Sequence, residues 1–215
     1  MVVPVDAANT GFMRPFRSPV GALAPATLAL ALTACATPAT PGDPPEPSPA
    51  APIEVAGEGT VIQVGDAAPE FCLGPVAASY PPQCTGPELV GWDWDAIDGD
   101  ETAADVTWGT YAVTGTWDGE RLTVATAIQL ALYDPLPMPD PALDPANPGS
   151  TPEAELRAIQ DGIADEFPVE VLATWTENGY VFVSVLVDEG GALQAWANER
   201  YGPDVVQVRP ALRSA

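Results

Sequence analysis

The sequence predicts an α+β fold in which a small antiparallel β-barrel-like domain, OB-like by analogy, carries one disulfide and precedes a small α-β-β-α-β domain. Two dipeptides typical of tight hairpin turns, Asp-Gly at 118–119 and Asn-Gly at 178–179, each separate two strand-like runs. Residues 53–133 show no helical pattern, whereas apolar residues recur at helical intervals from Leu156 onward. We therefore place the barrel in residues 53–133 and the α+β domain in residues 153–215.

Residues 1–34 are predicted to be a lipoprotein signal peptide. Two arginines precede an apolar stretch of about 15 residues, which is shorter than the ~20 residues that a spanning helix needs. The stretch ends in Leu-Thr-Ala-Cys at 32–35, which resembles the lipobox of bacterial lipoproteins. This resemblance implies that Cys35 receives diacylglycerol and palmitate and becomes the mature N-terminus. An ordinary secretory signal with a chance cysteine is the alternative, and residues 1–12 lack a cationic start, which suggests a mis-called start codon.

The cysteine count fits an exported lipoprotein. The chain has three cysteines, and an odd number in an exported protein needs an explanation. Lipidation of Cys35 supplies one and leaves Cys72 and Cys84 to pair in an oxidising compartment. Gly-Pro and Pro-Pro dipeptides lie between these two cysteines, and their spacing is not that of a CxxC redox pair. We therefore predict a structural disulfide between Cys72 and Cys84.

Two proline-rich segments flank the predicted barrel domain. Residues 35–52 contain seven prolines in eighteen positions, a composition that cannot bury a core and favours an extended tether. Residues 134–152 again contain seven prolines, together with three aspartates. The second segment is expected to be a linker, or a long loop lying over the surface.

The clearest element of the barrel is a hairpin over residues 106–128. A two-residue turn at 118–119 would place Trp117 opposite Glu120. The apolar face is expected to contain Tyr111, Val113, Leu122, Val124 and Ile128. The polar face is expected to contain Thr110, Thr114, Thr116, Arg121 and Thr123. Such a division indicates one buried and one solvated face, and earlier strands are expected at 59–64 and 88–94.

The C-terminal region changes from strand to mixed periodicity. Ser150 and Glu153 have capping-box spacing at the start of a predicted helix. The apolar positions of this helix are Leu156, Ile159, Ile163 and Phe167. The next elements are expected to be a strand at 169–176, a strand at 180–187, a helix at 191–200 and a strand at 204–208. The second strand is apolar on both faces, which predicts a central position in its sheet.

Composition excludes several classes of function. The chain has 30 acidic residues, seven arginines, no lysine and no histidine, with a net charge of −23 at pH 7. Without these side chains there is no histidine-dependent triad, no Schiff-base lysine and no P-loop. The negative charge also argues against nucleic acid as a partner, because phosphates would be repelled.

An acidic string beside two tryptophans is the most unusual local feature. A calcium site is one hypothesis, because hard cations prefer several carboxylate oxygens, although the EF-hand spacing is not met. A glycan platform is another, because Trp92 and Trp94 would share one face of a strand. Core tryptophans beside a solvated acidic turn are the simpler interpretation. The candidate metal ligands are Asp93, Asp95, Asp98, Asp100 and Glu101, and the candidate glycan-binding residues are Trp92 and Trp94.

Three stretches together resemble uncharacterised cell-envelope lipoproteins of high-GC Gram-positive bacteria. They are the lipobox, the stretch from Cys72 to Trp94 (CLGPVAASYPPQC…VGWDW), and a C-terminal stretch over residues 193–206. The lysine-free, Ala- and Pro-rich composition is consistent with such a genome. The resemblance implies a location at the extracytoplasmic face of the cell membrane and implies no activity.

These observations predict a lipid-anchored extracytoplasmic protein that acts by binding or by supporting an envelope assembly. Its expected partners are the membrane, through the anchor, and an envelope protein or glycan. The alternative is a Ca²⁺- or glycan-binding module at residues 92–101, in which Ca²⁺ would be the cofactor. A carboxylate-dependent polysaccharide hydrolase is a further alternative, because two acids can hydrolyse a glycosidic bond without histidine. No catalytic residue is assigned.

Overall fold

The computed structural model describes residues 51–136 and 138–215. Pro47–Ala215 form one compact unit, which contains every hydrophobic cluster described below, so we expect it to fold without the preceding residues. The predicted signal peptide, the lipidation site Cys35 and nearly all of the first tether lie outside the described residues. Among the helices of the described part, none is both long and apolar enough to cross a membrane.

Ten strands and two α-helices make up the described chain. The strands are β1 (Ile53–Val64), β2 (Glu70–Cys72), β3 (Leu89–Val90), β4 (Glu101–Ala103), β5 (Val106–Trp117), β6 (Leu122–Gln129), β7 (Val171–Glu177), β8 (Tyr180–Val185), β9 (Val206–Pro210) and β10 (Arg213–Ser214). The helices are α1 (Glu153–Glu166) and α2 (Ala192–Tyr201). The protein is therefore mixed α+β, as predicted.

The first sheet is a nearly closed barrel. β1 pairs with β5 along all twelve residues, β5 pairs with β6, and β6 pairs in parallel with β3. The other edge of β1 pairs with β2. An isolated β-bridge between Glu70 in β2 and Glu88, directly before β3, links β2 to β3. The strand order around the barrel is thus β1-β5-β6-β3-β2. Its core contains Val61, Phe71, Leu89, Tyr111, Val113 and Leu122.

The β5–β6 hairpin exists, but its predicted register is wrong. Trp117 pairs with Leu122 rather than with Glu120, because the connecting loop has four residues instead of two. Asp118 stabilises this longer loop, since its Oδ1 accepts hydrogen bonds from the backbone N–H groups of Glu120 (2.9 Å) and Arg121 (2.7 Å). The change of two positions preserves the inward direction of Leu122, because side chains alternate with a period of two.

A β-bulge overturns the prediction that Ile128 lies on the buried face. Gly115 pairs with Val124 and Thr114 pairs with Thr126, so one residue of β6 is inserted between them. An inserted residue reverses the faces of the positions that follow. Ile128 is consequently 44% exposed, and Ala127 packs against the barrel core in its place.

The strand predicted at 88–94 is also shorter than expected. Only Leu89–Val90 form a strand, and a 3-10 turn over Trp94–Ala96 follows. The Asp93 side chain accepts a hydrogen bond from the backbone N–H of Asp95 at 3.0 Å. Because aspartate favours such local turns over strand pairing, the acidic string leaves the sheet here.

The C-terminal α-β-β-α-β order is present. The sheet order is β7-β8-β9, so β8 is central as predicted, and the turn at Asn178 and Gly179 joins Glu177 directly to Tyr180. The predicted capping box is wrong, because α1 begins at Glu153 with Pro152 as its cap residue. Helices α1 and α2 cover one face of the sheet through Leu156, Ile163 and Ala197, together with Phe167, which directly follows α1.

The proline-rich segment 134–152 is a long loop fixed to the other face of this sheet. Ala142 is buried with Tyr180 and Phe182. Asn178 Nδ2 donates hydrogen bonds to the carbonyl oxygens of Ala142 (2.9 Å) and Asp144 (2.8 Å). Two further bonds, from Arg209 to the carboxylate of Asp140, hold the start of the loop. The described residues of this segment therefore form an ordered surface loop.

The end of the chain returns to the barrel. β10 pairs with β1 at Val55 and Ala56, and Leu212 is buried in the barrel core. Leu186 and Val187, which follow β8, pack against the same core. The sequence left open whether the two regions touch, and these contacts show that they share apolar surface.

The predicted disulfide between Cys72 and Cys84 is confirmed, with the two sulfur atoms 2.06 Å apart. Replacing both cysteines by serine is expected to lower the free energy of unfolding by about 3 kcal/mol, because a closed ring of about 13 residues restricts the unfolded chain. Urea unfolding with and without reductant measures this effect. Reductant should lower the stability of the wild-type protein and leave the double variant unchanged; equal stability of all four samples would contradict the prediction.

Candidate functional site

The two candidate tryptophans form an aromatic cluster over the barrel core. Trp92 and Trp94 are half-buried, with ring centroids 5.2 Å apart and planes inclined by 76°. The ring of Trp92 also lies edge-on to the ring of Tyr111, with their centroids 4.9 Å apart. Trp94 Nε1 donates a hydrogen bond to Gln63 Oε1 at 2.6 Å. The rings therefore pack edge to face against the core, which differs from the coplanar platform that the glycan hypothesis requires.

The acidic string beside this cluster lies at the surface. All five candidate ligands are exposed, and one of them, Asp93, accepts the hydrogen bond that begins the 3-10 turn. Burial raises the pKa of Tyr111, and the negative charges of Asp100 and Asp98 raise it further. Among the described residues, no three carboxylate, cysteine or histidine side chains are grouped as a metal site requires. The calcium site stays a prediction.

A thermal-unfolding comparison tests the calcium alternative. If the acidic string binds Ca²⁺, the ion at 100 times its dissociation constant should stabilise the fold by about 2.7 kcal/mol, because it binds only the folded state. The midpoint would then rise by several degrees relative to EDTA. Asp95→Asn combined with Asp98→Asn should abolish the rise. An unchanged midpoint in the wild-type protein would identify the string as a solvated turn.

A groove that the sequence analysis missed lies between the barrel and the start of β7. Its volume is about 580 Å³, within the range of ligand-binding clefts. Apolar side chains form much of its lining: Leu73, Pro87, Trp117, Val169, Leu172 and Val187. We call this feature the β7 groove. Its lining comes from five separate stretches of the chain, so no local motif could have indicated it.

A second cleft continues the β7 groove along the disulfide loop. It has a volume of about 480 Å³ and shares Gly74, Thr85, Glu170 and Leu172 with the first. A β-bulge at Leu172, between the paired residues Val171 and Ala173, gives this part of β7 an irregular edge. The two clefts therefore join beside the first residues of β7.

Three glutamates, Glu120, Glu170 and Glu189, surround the β7 groove, and all three are exposed. The backbone N–H groups of Arg121 and Glu120 donate hydrogen bonds to the Asp118 carboxylate. These bonds lower the pKa of Asp118, with the larger effect from Arg121, and they also hold the loop that carries Glu120. Asp188 accepts hydrogen bonds from two backbone N–H groups in the first turn of α2, which orders the segment that carries Glu189.

Among the described residues, no arginine lines the β7 groove. Each of the five described arginines lies within salt-bridge distance of a carboxylate that does not line it: Asp118, Glu153, Glu166, Asp140 and Glu58. Arg121, which follows Glu120 in the β5–β6 loop, is the arginine nearest to the rim in sequence. The described lining of the groove is thus apolar with a negatively charged rim.

The apolar lining of the β7 groove suits the binding of a ligand with apolar groups. An apolar floor removes water from apolar ligand groups, which is the main source of affinity at such sites. Comparison of the chain with protein-family models, with curated proteins and with solved structures finds no match.

Proposed function

We propose that the protein is a lipid-anchored extracytoplasmic binding protein, and that the β7 groove is its binding site. The observation that carries the proposal is an apolar groove with an acidic rim that joins a second cleft along the disulfide loop. The proposed role is the recruitment or support of an envelope component, without catalysis and without a cofactor.

The first strand of the barrel begins beside the β7 groove, so the proposed tether would lead directly to the groove. Ile53 pairs with Trp117, and Trp117 lines the β7 groove. A tether of eighteen residues in polyproline conformation would span about 55 Å at ~3.1 Å per residue. Lipidation at Cys35 would therefore keep the groove within that distance of the membrane and raise its effective concentration toward other envelope components.

The finer fold assignment is part of the same proposal. The order β1-β5-β6-β3-β2, with β5 returning beside β1, is that of a five-stranded Greek-key barrel, which supports an OB-like domain over residues 53–133. The α+β domain predicted over residues 153–215 would follow it, except that Leu212 and β10 belong to the barrel. OB folds bind ligands partly through the loop between their fourth and fifth strands, and the corresponding β5–β6 loop supplies Glu120 to the groove rim.

Site-specific photo-cross-linking in the native host tests where the protein binds. A benzophenone amino acid at Leu172 should give a discrete adduct in the envelope fraction, because Leu172 lies in both clefts. The same amino acid at Leu132, which is 75% exposed and outside both clefts, is the matched control. Adducts at Asp95 but not at Leu172 would favour the Trp92–Glu101 alternative. The absence of any adduct at Leu172 would contradict the proposal.

A further inference from the structure

We infer that the β7 groove takes an extended polypeptide segment that carries apolar side chains flanked by lysine or arginine. The inference rests on the proposed function and specifies its ligand. The joining of the two clefts is the first argument. Both clefts are lined by Glu170 and Leu172 at the start of β7, so a polypeptide segment that lies along these residues would contact both.

The position of β7 is the second argument. The sheet order β7-β8-β9 leaves β7 at an edge, and an edge strand presents backbone N–H and C=O groups that can pair with another chain. Peptides bind many proteins by adding a strand at such an edge while their alternate side chains enter pockets. The apolar side chains of Leu73, Leu172 and Val187 offer a surface for these alternate side chains.

Charge is the third argument, and it excludes other occupants. The glutamates at positions 120, 170 and 189 would repel an anionic lipid headgroup. A second copy of this chain, with a net charge of −23, would be repelled as well. The protein's own tether, residues 35–52, contains one aspartate, one glutamate and no arginine. A lysine- or arginine-flanked segment of another protein is the occupant that complements the rim.

A fluorescence-anisotropy titration of residues 47–215 tests this assignment. The probe is a labelled peptide with alternating leucine and threonine residues and two arginines at each end. Two matched peptides replace the arginines by glutamate or the leucines by serine. We expect the first peptide to bind at least tenfold more tightly than either control, because each control removes one of the two complementary features.

Rim variants separate specific contacts from overall charge. The triple variant Glu120→Gln, Glu170→Gln and Glu189→Gln is expected to bind the arginine-flanked peptide about tenfold more weakly, since each exposed pair contributes modestly. The control replaces three exposed glutamates away from both clefts, Glu155, Glu177 and Glu199, by glutamine. Its net charge is the same, and its affinity should remain near that of the wild-type protein.

Several outcomes would overturn the inference. Equal binding of the arginine- and glutamate-flanked peptides would do so, as would equal weakening by the two triple variants. Saturable binding of decanoate but not of the peptide would assign the groove to acyl chains. If no peptide binds while the Leu172 cross-link persists, the ligand class is wrong and the proposed site stands. If both fail, the proposed function fails as well.

Discussion

Replacing Leu212 by alanine is expected to lower the free energy of unfolding by about 2–5 kcal/mol, the usual cost of truncating a buried leucine. Leu212 is only 2% exposed and belongs to the barrel core, although only Arg213, Ser214 and Ala215 follow it in the sequence. Its backbone N–H donates a hydrogen bond to the carbonyl of Leu186 at 2.9 Å. The substitution should therefore destabilise the barrel and its contact with the C-terminal region together.

Urea unfolding followed by tryptophan fluorescence and by far-ultraviolet circular dichroism measures this effect. Leu132→Ala is the matched control, because the same atoms are removed from a side chain that is 75% exposed; its effect should stay within about 0.5 kcal/mol. We expect a single transition at a lower urea concentration for Leu212→Ala. A stability equal to that of the control would show that the C-terminus does not contribute to the core.

Cys35→Ala is expected to abolish lipid attachment and, once the signal peptide has been cleaved, to release the protein from the membrane fraction into the soluble extracytoplasmic fraction. The expected cause is loss of the lipid, since none of the described helices is long and apolar enough to cross a membrane. Cell fractionation followed by immunoblotting measures the distribution. Labelled palmitate should enter the wild-type protein and not the variant.

A serine-to-alanine change in the tether, Ser48→Ala, provides the control for this experiment. It leaves the lipobox intact, so both membrane location and palmitate incorporation should remain. Persistence of Cys35→Ala in the membrane fraction, together with an unlabelled wild-type protein, would refute the anchor. The binding proposal could then be tested separately, because the β7 groove lies wholly in the compact unit.

Local signals predicted the elements whose residues lie next to one another in the sequence. The Asn-Gly turn at 178–179 and the apolar run that follows it gave the central strand β8, and the helical spacing of Leu156 and Ile163 gave α1. The β5–β6 hairpin was found for the same reason. Its register was not predicted correctly. The choice between a two-residue turn and a four-residue loop depends on which backbone N–H groups donate hydrogen bonds to the Asp118 side chain.

Features made by distant segments could not be predicted in this way. Nothing local indicates that Leu212 enters the barrel core or that a bulge turns Ile128 outward. The β7 groove combines the disulfide region, the β5–β6 loop, the residues before β7 and those after β8. Its position depends on how these segments pack, whereas the Trp92–Glu101 string attracted attention because its unusual residues are contiguous.

The location of the bound arginine-flanked peptide tests the central claim most directly. Residues 47–215, labelled at leucine and valine methyl groups and at tryptophan indole nitrogens, can be titrated with the peptide and followed by NMR. We predict that the signals of Leu73, Leu172 and Val187 shift first and furthest, with those of Trp92 and Trp94 unchanged. Shifts centred on Trp92 and Trp94, with the groove methyl groups unaffected, would contradict the assignment of the β7 groove as the binding site.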